Sequence, residues 1–347
     1  MTFKEESLDE IVNAAKDMAS ELFADDDPNK ELFQNVLKEM QLAEEETVYK
    51  DDKAVYEYTP VHRIDPGNVG DVQYIELEEG KTTKLITRAV RPPLFEIPDF
   101  ISDEDCDYII EKTREKGLNV SSVFGSKTEK DSGKRFGSHR KSFSSSLKLE
   151  NVGEEFMSRL HDKVSKLIGM PKQVVQWSEN LAIGMYEPGG HYHAHLDSNE
   201  ASREIPCCFQ KECHDSKGVK GDFIECCRIC RYVTVLYYLN DVEEGGETAF
   251  PLADLSYGEM VSKENTNWRN LTSDCHDAAV VIKPKKGKAI MWYNHLVDKK
   301  GYISFVEKRS YHGGCEVTKG TKWIATNWIS TPIYAHRFIP SKYRDII

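Results

Sequence analysis

The stretch LAIGMYEPGGHYHAHLD, residues 181–197, decides the fold because it holds two predicted strands and the densest group of histidines in the chain. Its two ends, LAIGMYE and HYHAHLD, have the length and the apolar content of short strands. In a strand, residues i and i+2 point to the same face. We therefore expect His195 and Asp197 to project together, with His193 on that face as well.

Short segments of the same kind recur from residue 72 onward. They are VQYIEL, KLITRAV, LFEIPDF, RYVTVLYYLN, AVVIKP, AIMWYN, SYHGGCEV and KWIATNWIS. Two stretches predict helices instead, residues 103–117 and the amphipathic residues 154–170. Residues 125–146 are polar, basic and rich in Gly and Ser, which predicts a loop. Many short strands, few helices and no βαβ alternation indicate a mainly β fold with flanking helices, such as a jelly roll.

The N-terminal part differs from the rest in charge and periodicity. Residues 1–50 contain 14 acidic residues and five lysines, and the whole chain has a net charge of −12. Apolar side chains recur at helical spacing in residues 5–24 and 29–46. We predict an acidic helical extension over residues 1–60 and one large domain over residues 61–347. The acidic balance disfavours nucleic-acid binding, which requires a basic face.

The cysteines and the start of the chain bear on the compartment. Six of the nine cysteines lie within residues 207–230, which fits either disulfides in an oxidising compartment or a thiolate zinc site. Their spacing matches no common zinc module. The sequence predicts no membrane span, because no run of about 18 apolar residues occurs. It also predicts no signal peptide, because the acidic start lacks an apolar segment.

His195 and Asp197 would supply two metal ligands and need a third from elsewhere in the chain. Two imidazoles and one carboxylate with open positions form the facial triad of non-haem Fe(II) oxygenases. His312, 115 residues after Asp197, is the candidate third ligand. We interpret His191 and His193 as hydrogen-bonded or surface imidazoles, since only Asp197 supplies a negative charge in this stretch.

A lysine near the C-terminus adds to this pattern. KWIATNWIS alternates, so Lys322 is expected to share one strand face with Ile324, Thr326 and Trp328. A cation among apolar neighbours inside a barrel requires an anion, and a dicarboxylate cosubstrate would provide one. The usual alternative is a surface lysine whose aliphatic stem covers apolar side chains.

Taken together, these motifs resemble those of the 2-oxoglutarate- and Fe(II)-dependent dioxygenases, specifically the prolyl 4-hydroxylases. The resemblance covers roughly residues 92–335 and is closest to the transmembrane members of the family. It rests on Tyr186-x8-His195-x-Asp197, RYVTVLYYLNDVEEGGETAFP (231–251), KPKKGKAIMWYN (283–294), and His312-x9-Lys322 followed by Trp328. It implies a double-stranded β-helix (jelly-roll) core.

The resemblance also implies roles for particular residues. Those expected to bind Fe(II) are His195, Asp197 and His312. Those expected to bind 2-oxoglutarate are Lys322, which would pair with its distal carboxylate, and Tyr186, Thr234 and Trp328. Those expected on the substrate side are Tyr192 and Arg140. For Tyr192 and Trp328, a role as ordinary core aromatics stays open.

The reaction implied is hydroxylation of C4 of a prolyl residue in a polypeptide, coupled to decarboxylation of 2-oxoglutarate to succinate. Dioxygen would be the cosubstrate, and ascorbate would restore oxidised iron. The alternatives are the same chemistry on another residue such as lysine, and a jelly-roll binding module without catalysis. The four residues His195, Asp197, His312 and Lys322 are all present, which disfavours the second alternative.

The resemblance implies the endoplasmic reticulum as the compartment. The cytoplasm is the alternative, because the sequence predicts neither a signal peptide nor a membrane span. The EF-hand insertion and the span of the transmembrane relatives have no counterpart in this sequence. Calcium control and membrane anchoring are therefore not expected, and the sequence predicts no particular oligomeric state.

Overall fold

The computed structural model of the chain describes residues 61–121, 139–198, 207–208, 228–297 and 303–330. The chain divides into two units, Met1–Glu57 and Tyr58–Ile347. The acidic helical extension predicted for residues 1–60 lies outside the described residues and stays a prediction. No helix in the described ranges has the length and apolar content needed to cross a membrane.

Strands dominate the described part of the second unit. In chain order they are β1 (Val72–Glu78), β2 (Lys81–Ala89), β3 (Leu94–Ile97), β4 (Asn119–Val120), β5 (Arg140–Lys141), β6 (Phe143–Leu147), β7 (Leu181–Tyr186), β8 (His191–His195), β9 (Cys207–Cys208), β10 (Arg228–Ile229), β11 (Arg231–Tyr238), β12 (Glu244–Gly245), β13 (Thr248–Phe250), β14 (Val280–Ile282), β15 (Ala289–Tyr293), β16 (His295–Val297), β17 (Ile303–Val306), β18 (His312–Gly314), β19 (Val317–Lys319) and β20 (Lys322–Ser330). The helices are α1 (Asp103–Lys116), α2 (Leu149–Val152), α3 (Glu154–Ile168), α4 (Lys172–Trp177) and α5 (Tyr257–Lys263).

Two antiparallel sheets contain fourteen of these strands, and the other six form the pairs β9 with β10, β12 with β19 and β16 with β17. The large sheet has the order β1-β2-β3-β15-β11-β20-β7-β6-β4, and the small sheet has the order β14-β13-β18-β8-β5. The chain passes from β7 in the large sheet to β8 in the small one, and it returns in the same way from β18 to β20. This alternation between facing sheets is a double-stranded β-helix, so the predicted jelly-roll core is confirmed.

Helices cover the outer face of the large sheet. The first of them, α1, begins where the Ser102 hydroxyl accepts a hydrogen bond from the Asp105 N–H, and it ends at Gly117, which has φ 93°. The apolar side of α3 packs against the same face of the sheet. Both helices lie where the sequence predicts them.

Aromatic and aliphatic side chains fill the space between the two sheets. Trp292 of β15 and Phe250 of β13 meet there edge to face, with 5.2 Å between their ring centroids. Both are fully buried, as is Tyr238 of β11. The ring of Trp292 also lies 4.5 Å from that of His312, measured between centroids, so this filling reaches the candidate site.

The loop predicted at 125–146 is wrong at its C-terminal end. Residues 122–138 lie outside the described residues, but β5 and β6 occupy the end of the stretch. Phe143 and Leu147 are buried, and β6 pairs with β7 from Phe143 opposite Met185 to Leu147 opposite Leu181. The serines between these two apolar residues gave the segment the composition of a loop, although its apolar ends fit a strand.

A disulfide between Cys275 and Cys315 ties the outer face of the small sheet to the segment that covers it. Both cysteines are buried with Ala194, Ala249 and Leu271. The bond joins residues 40 positions apart in the sequence. It therefore restricts the unfolded chain and holds the covering segment against β8 and β18.

We expect the double variant Cys275→Ser/Cys315→Ser to lose about 2–4 kcal/mol of the free energy of unfolding, because a closed loop of this size is removed from the unfolded chain. Urea unfolding of the wild type and the variant, both without reductant, measures the difference. A loss below about 0.5 kcal/mol would show that the bond does not constrain the unfolded chain.

Candidate active site

The three predicted metal ligands come together at the end of the small sheet. His195 ends β8 and His312 begins β18, and the two residues are direct partners in the antiparallel pair. Asp197 follows β8, with Oδ1 3.7 Å from His195 Nε2 and Oδ2 3.6 Å from His312 Nε2. One ligand atom from each residue lies within 4.8 Å of the other two.

Backbone carbonyls set the orientation of both imidazoles. His195 Nδ1 lies 2.9 Å from the carbonyl oxygen of His193, and His312 Nδ1 lies 2.9 Å from that of Ser310. A carbonyl oxygen can only accept, so each Nδ1 carries a hydrogen. In the neutral ring the lone pair is then on Nε2, the atom that faces Asp197.

The charges at this cluster favour a cation. Burial lowers the pKa of His312 to about 4, although Asp197 opposes the shift, so this imidazole is neutral at pH 7. Burial raises the pKa of Asp197, but the positive charges of His312 and His195 when protonated, and of Arg231, outweigh it, and the net pKa lies below its usual value. A neutral imidazole lone pair facing a carboxylate is repulsive without a cation between them. Two imidazoles and one carboxylate suit Fe(II).

Lys322 lies inside the barrel, as its position in the alternating strand predicts. It is 2% exposed and pairs with Tyr186 across β20 and β7, with Nζ 5.5 Å from the Tyr186 ring centroid. A Cβ added to Gly314 would lie 3.6 Å from this Nζ, so the ammonium reaches β18 two residues beyond His312. The lysine thus spans the barrel from the large sheet to the strand that carries a candidate ligand.

No described carboxylate forms an ion pair with Lys322. Burial lowers its pKa to about 7, and Glu247 acts in the opposite direction without restoring the usual value. A buried lysine without a close anion is destabilising unless something charged binds beside it. The position is therefore suited to a carboxylate group of a ligand.

Thr234 and Trp328, which the resemblance assigns to 2-oxoglutarate, both contact Asp197. They are partners across β11 and β20, and both donate hydrogen bonds to Asp197 Oδ2, from the Thr234 hydroxyl at 2.7 Å and from Trp328 Nε1 at 3.0 Å. Trp328 is six residues from Lys322 along β20, about 20 Å of extended strand. Both side chains therefore hold the carboxylate of the ligand cluster, at the opposite end of the strand from Lys322.

A register shift in the small sheet corrects the prediction for His193. His312 pairs with His195 while Gly314 pairs with Tyr192, so β8 has one residue more than β18 between the two pairs. Tyr192 consequently stacks on His195, with 3.6 Å between ring centroids. His193 lies away from the ligands, where its Nδ1 accepts a hydrogen bond of 3.2 Å from the Leu271 N–H.

His191 and the two substrate-side candidates, Tyr192 and Arg140, lie on β8 or on its neighbour β5. His191 Nδ1 lies 3.2 Å from the Gly189 carbonyl oxygen, in agreement with its interpretation as a hydrogen-bonded imidazole. Arg140 of β5 pairs with Tyr192, and its guanidinium lies 4.5 Å from the Tyr192 ring centroid. Arg140, Tyr192 and His195 thus form one continuous stack that leads to the cluster.

Comparisons with known proteins bear on this site. Residues 181–330 match the family model of the 2OG-Fe(II) oxygenase superfamily. The transmembrane prolyl 4-hydroxylase of Mus musculus is 29% identical over an alignment of 356 positions, which covers 78% of this chain and 70% of that protein. Probable prolyl 4-hydroxylase 10 of Arabidopsis thaliana is 30% identical over 236 residues, which cover 68% of each chain. The chain belongs to the prolyl 4-hydroxylase family.

As a member of that family, the protein is an oxidoreductase that depends on Fe(II) and 2-oxoglutarate and uses dioxygen. A solved viral collagen prolyl hydroxylase from Paramecium Bursaria Chlorella virus-1, in complex with 2-oxoglutarate, superposes with a TM-score of 0.41. It is 21% identical, and the match covers 69% of this chain and 96% of the viral one.

Arg231 also belongs to the site of this prolyl 4-hydroxylase, although the sequence analysis did not identify it. Its guanidinium stacks 3.6 Å from the Trp328 ring centroid and donates to both oxygens of Glu179, at 2.5 and 2.7 Å. It also donates to the Asp197 carbonyl oxygen at 3.2 Å. A charged residue at the start of the apolar run RYVTVLYY is a signal that could have indicated it.

We expect Lys322 to make the stability of the metal-free and ligand-free protein depend on pH. Its folded-state pKa of about 7 lies below the ordinary value near 10.5, so the native state releases the proton first. The free energy of unfolding should therefore rise between pH 7 and 10.5. Denaturant unfolding at several pH values should show this rise in the wild type and not in Lys322→Met.

The exposed Lys319 provides the control, since it pairs with Glu243 at the surface and its pKa is raised. Lys319→Met should keep the rise above pH 7. Parallel curves for the wild type and Lys322→Met would contradict the assignment of a lowered pKa to Lys322.

Proposed function

We propose that this protein hydroxylates C4 of prolyl residues in a polypeptide and couples this to the conversion of 2-oxoglutarate and dioxygen into succinate and carbon dioxide. The observation that carries the proposal is the combination of the His195, Asp197 and His312 cluster with the buried Lys322 in one barrel. The prolyl substrate is supported by the names of the relatives.

The ligand cluster would hold the iron. His195 and His312 present Nε2, and Asp197 contributes the negative charge. Bound Fe(II) would supply the activation of dioxygen that the protein's own side chains cannot provide. The protein would hold these three ligands in place before the metal binds. It does so through the carbonyl contact on each histidine Nδ1 and the two hydrogen bonds that Asp197 Oδ2 accepts.

Lys322 would bind the distal carboxylate of 2-oxoglutarate. An anion beside its ammonium favours the charged form and would raise the lowered pKa, so binding is coupled to proton uptake near pH 7. Tyr186 lies beside Lys322 and would help to enclose the carboxylate. The cosubstrate would thereby be held in one orientation, with its other end towards the ligand cluster.

Tyr192 and Arg140 would line the approach of the polypeptide. Arg140 Nε donates to the Ser142 hydroxyl at 2.8 Å, and this contact holds the guanidinium over Tyr192. The edge of this ordered stack, beside the metal ligands, would offer an apolar surface to the compact ring of proline. Trp328, held by Arg231, would exclude water from the opposite side of Asp197.

Ascorbate is the proposed reductant that restores iron oxidised in turnovers without substrate. The endoplasmic reticulum is the proposed compartment, supported by the Cys275–Cys315 disulfide and by Cys230, which is also disulfide-bonded. The disulfide of Cys230 also counts against a zinc site that uses this cysteine. Recovery of these cysteines as free thiols in protein trapped by alkylation inside the native cell would contradict the assignment.

The deciding experiment follows succinate formation and peptide mass with Fe(II), 2-oxoglutarate and ascorbate present. Proline-containing peptides should gain the mass of one oxygen atom in step with succinate, and lysine-containing peptides without proline should not. Succinate with oxidation of the lysine peptides would favour the alternative substrate. An iron-loaded protein that forms no succinate under any condition would favour the non-catalytic binding module.

We expect Asp197→Ala to lose succinate formation by more than about a hundredfold, because even substitutions of residues that merely support a ligand cost about 10- to 100-fold. Asp162→Ala is the matched control, since Asp162 is an exposed carboxylate on α3 that pairs with Lys172. Wild-type turnover by Asp197→Ala would refute the ligand assignment.

We expect Lys322→Met to raise the KM for 2-oxoglutarate roughly 10- to 100-fold, the effect of losing a hydrogen-bonded ion pair. Iron affinity should stay near that of the wild type, because Lys322 lies outside the ligand cluster. The measurement is steady-state succinate formation over a 2-oxoglutarate series, together with anaerobic titration of iron. An unchanged KM would show that the distal carboxylate binds elsewhere.

A further inference from the structure

We propose that Asn294 is a positioning residue for Asp197, acting through Thr234. This inference rests on the proposed iron site. Asn294 follows β15 and is fully buried, as are Trp292 and Thr234. The three side chains form one hydrogen-bonded series that ends on Asp197 Oδ2, with successive distances of 2.9, 2.9 and 2.7 Å.

The direction of every hydrogen bond in this series is fixed by chemistry. The indole of Trp292 can only donate, so the atom of Asn294 that faces it must be the carbonyl oxygen. The amide nitrogen of Asn294 therefore faces Thr234 and donates to its hydroxyl oxygen. The one hydroxyl hydrogen of Thr234 is then directed away from Asn294 and towards Asp197. The carboxylate can only accept, and Asn294 supports this direction by occupying the acceptor side of the Thr234 hydroxyl.

This direction matters because Asp197 Oδ2 receives two donors. The Thr234 hydroxyl and Trp328 Nε1 both point at it, from 2.7 and 3.0 Å. Two donors occupy the lone pairs of that oxygen and stabilise the ionised carboxylate. Oδ1, beside His195 Nε2, keeps its lone pairs for a metal. Without Asn294, the Thr234 hydroxyl could rotate and leave Oδ2 with one donor.

The strand around Asn294 contacts the cluster at two further points. The ring of Trp292 lies 4.5 Å from that of His312, measured between centroids. His295, the residue after Asn294, shares a 2.6 Å hydrogen bond with Ser198, the residue after Asp197. Both His295 and Ser198 are buried. One short stretch of chain, residues 292–295, therefore contacts the ligand His312, the donor Thr234, and Ser198 next to Asp197.

Metal affinity of the whole chain, measured anaerobically with Fe(II) and with Co(II) as a spectroscopic probe, tests the inference. We expect Asn294→Ala to weaken binding of both ions about 10-fold or more, in the range known for residues that orient a ligand. The Co(II) absorption bands should shift, because the geometry of the carboxylate changes. Neither readout depends on turnover.

Asn327→Ala is the matched control for loss of a buried asparagine. Asn327 is 2% exposed and accepts a 2.5 Å hydrogen bond from the Tyr237 hydroxyl, and it has no hydrogen bond to Asp197 or Thr234. It should lose thermal stability as Asn294→Ala does while binding metal within about twofold of the wild type. Equal loss of metal affinity in both variants would overturn the proposal, since both would then act through general destabilisation.

A double-mutant cycle tests whether Asn294 acts through Thr234. Thr234→Val removes the hydroxyl and should weaken metal binding, and Thr234→Ser should restore it. Adding Asn294→Ala to Thr234→Val should cause little further loss, because the donor that Asn294 orients is already absent. Additive losses would overturn the proposal. Failure of the proposed function itself would look different, as a wild type that binds neither metal or forms no succinate.

Discussion

The structure depends on one electrostatic constraint, the convergence of two imidazole nitrogens on a buried carboxylate. His195 and His312 are held by backbone carbonyls at Nδ1, so neither ring can turn its lone pair away from Asp197. Burial keeps His312 neutral at pH 7, so no proton relieves the repulsion there. The folded chain therefore carries a cost at this point that a divalent cation removes, and the cluster is arranged for metal before any metal binds.

The two sheets contribute different residues to this cluster. The small sheet supplies His195 and His312 as direct partners across β8 and β18. The large sheet supplies the groups that hold Asp197, since Thr234 and Trp328 lie side by side on β11 and β20. The site thus exists only where the two sheets face each other, and errors in the register of either one would separate the donors from the carboxylate.

Much of this arrangement could be predicted from the sequence, because strand alternation and residue chemistry are local properties. They indicated the jelly roll, the pairing of His195 with Asp197, and the inward face of Lys322. The position of His193 could not be predicted, since a register shift depends on the partner strand. Thr234 and Trp328 were assigned by family position, and their hydrogen bonds to Asp197 depend on how the two sheets pack together. The role of Asn294 depends on three strands that are distant in sequence.

Two buried sites in the same barrel favour ligands of opposite charge. The ligand cluster presents donors for a cation, and Lys322 forms no ion pair with the described carboxylates. A metal alone would satisfy the first site and leave the second unchanged. A monocarboxylate could satisfy Lys322 without reaching the metal. A dicarboxylate with a keto group beside one end can serve both sites at once, and its binding at either site makes the other more favourable because the ligand is already present. We infer that the need to serve both sites, more than either site alone, would select 2-oxoglutarate over simpler acids.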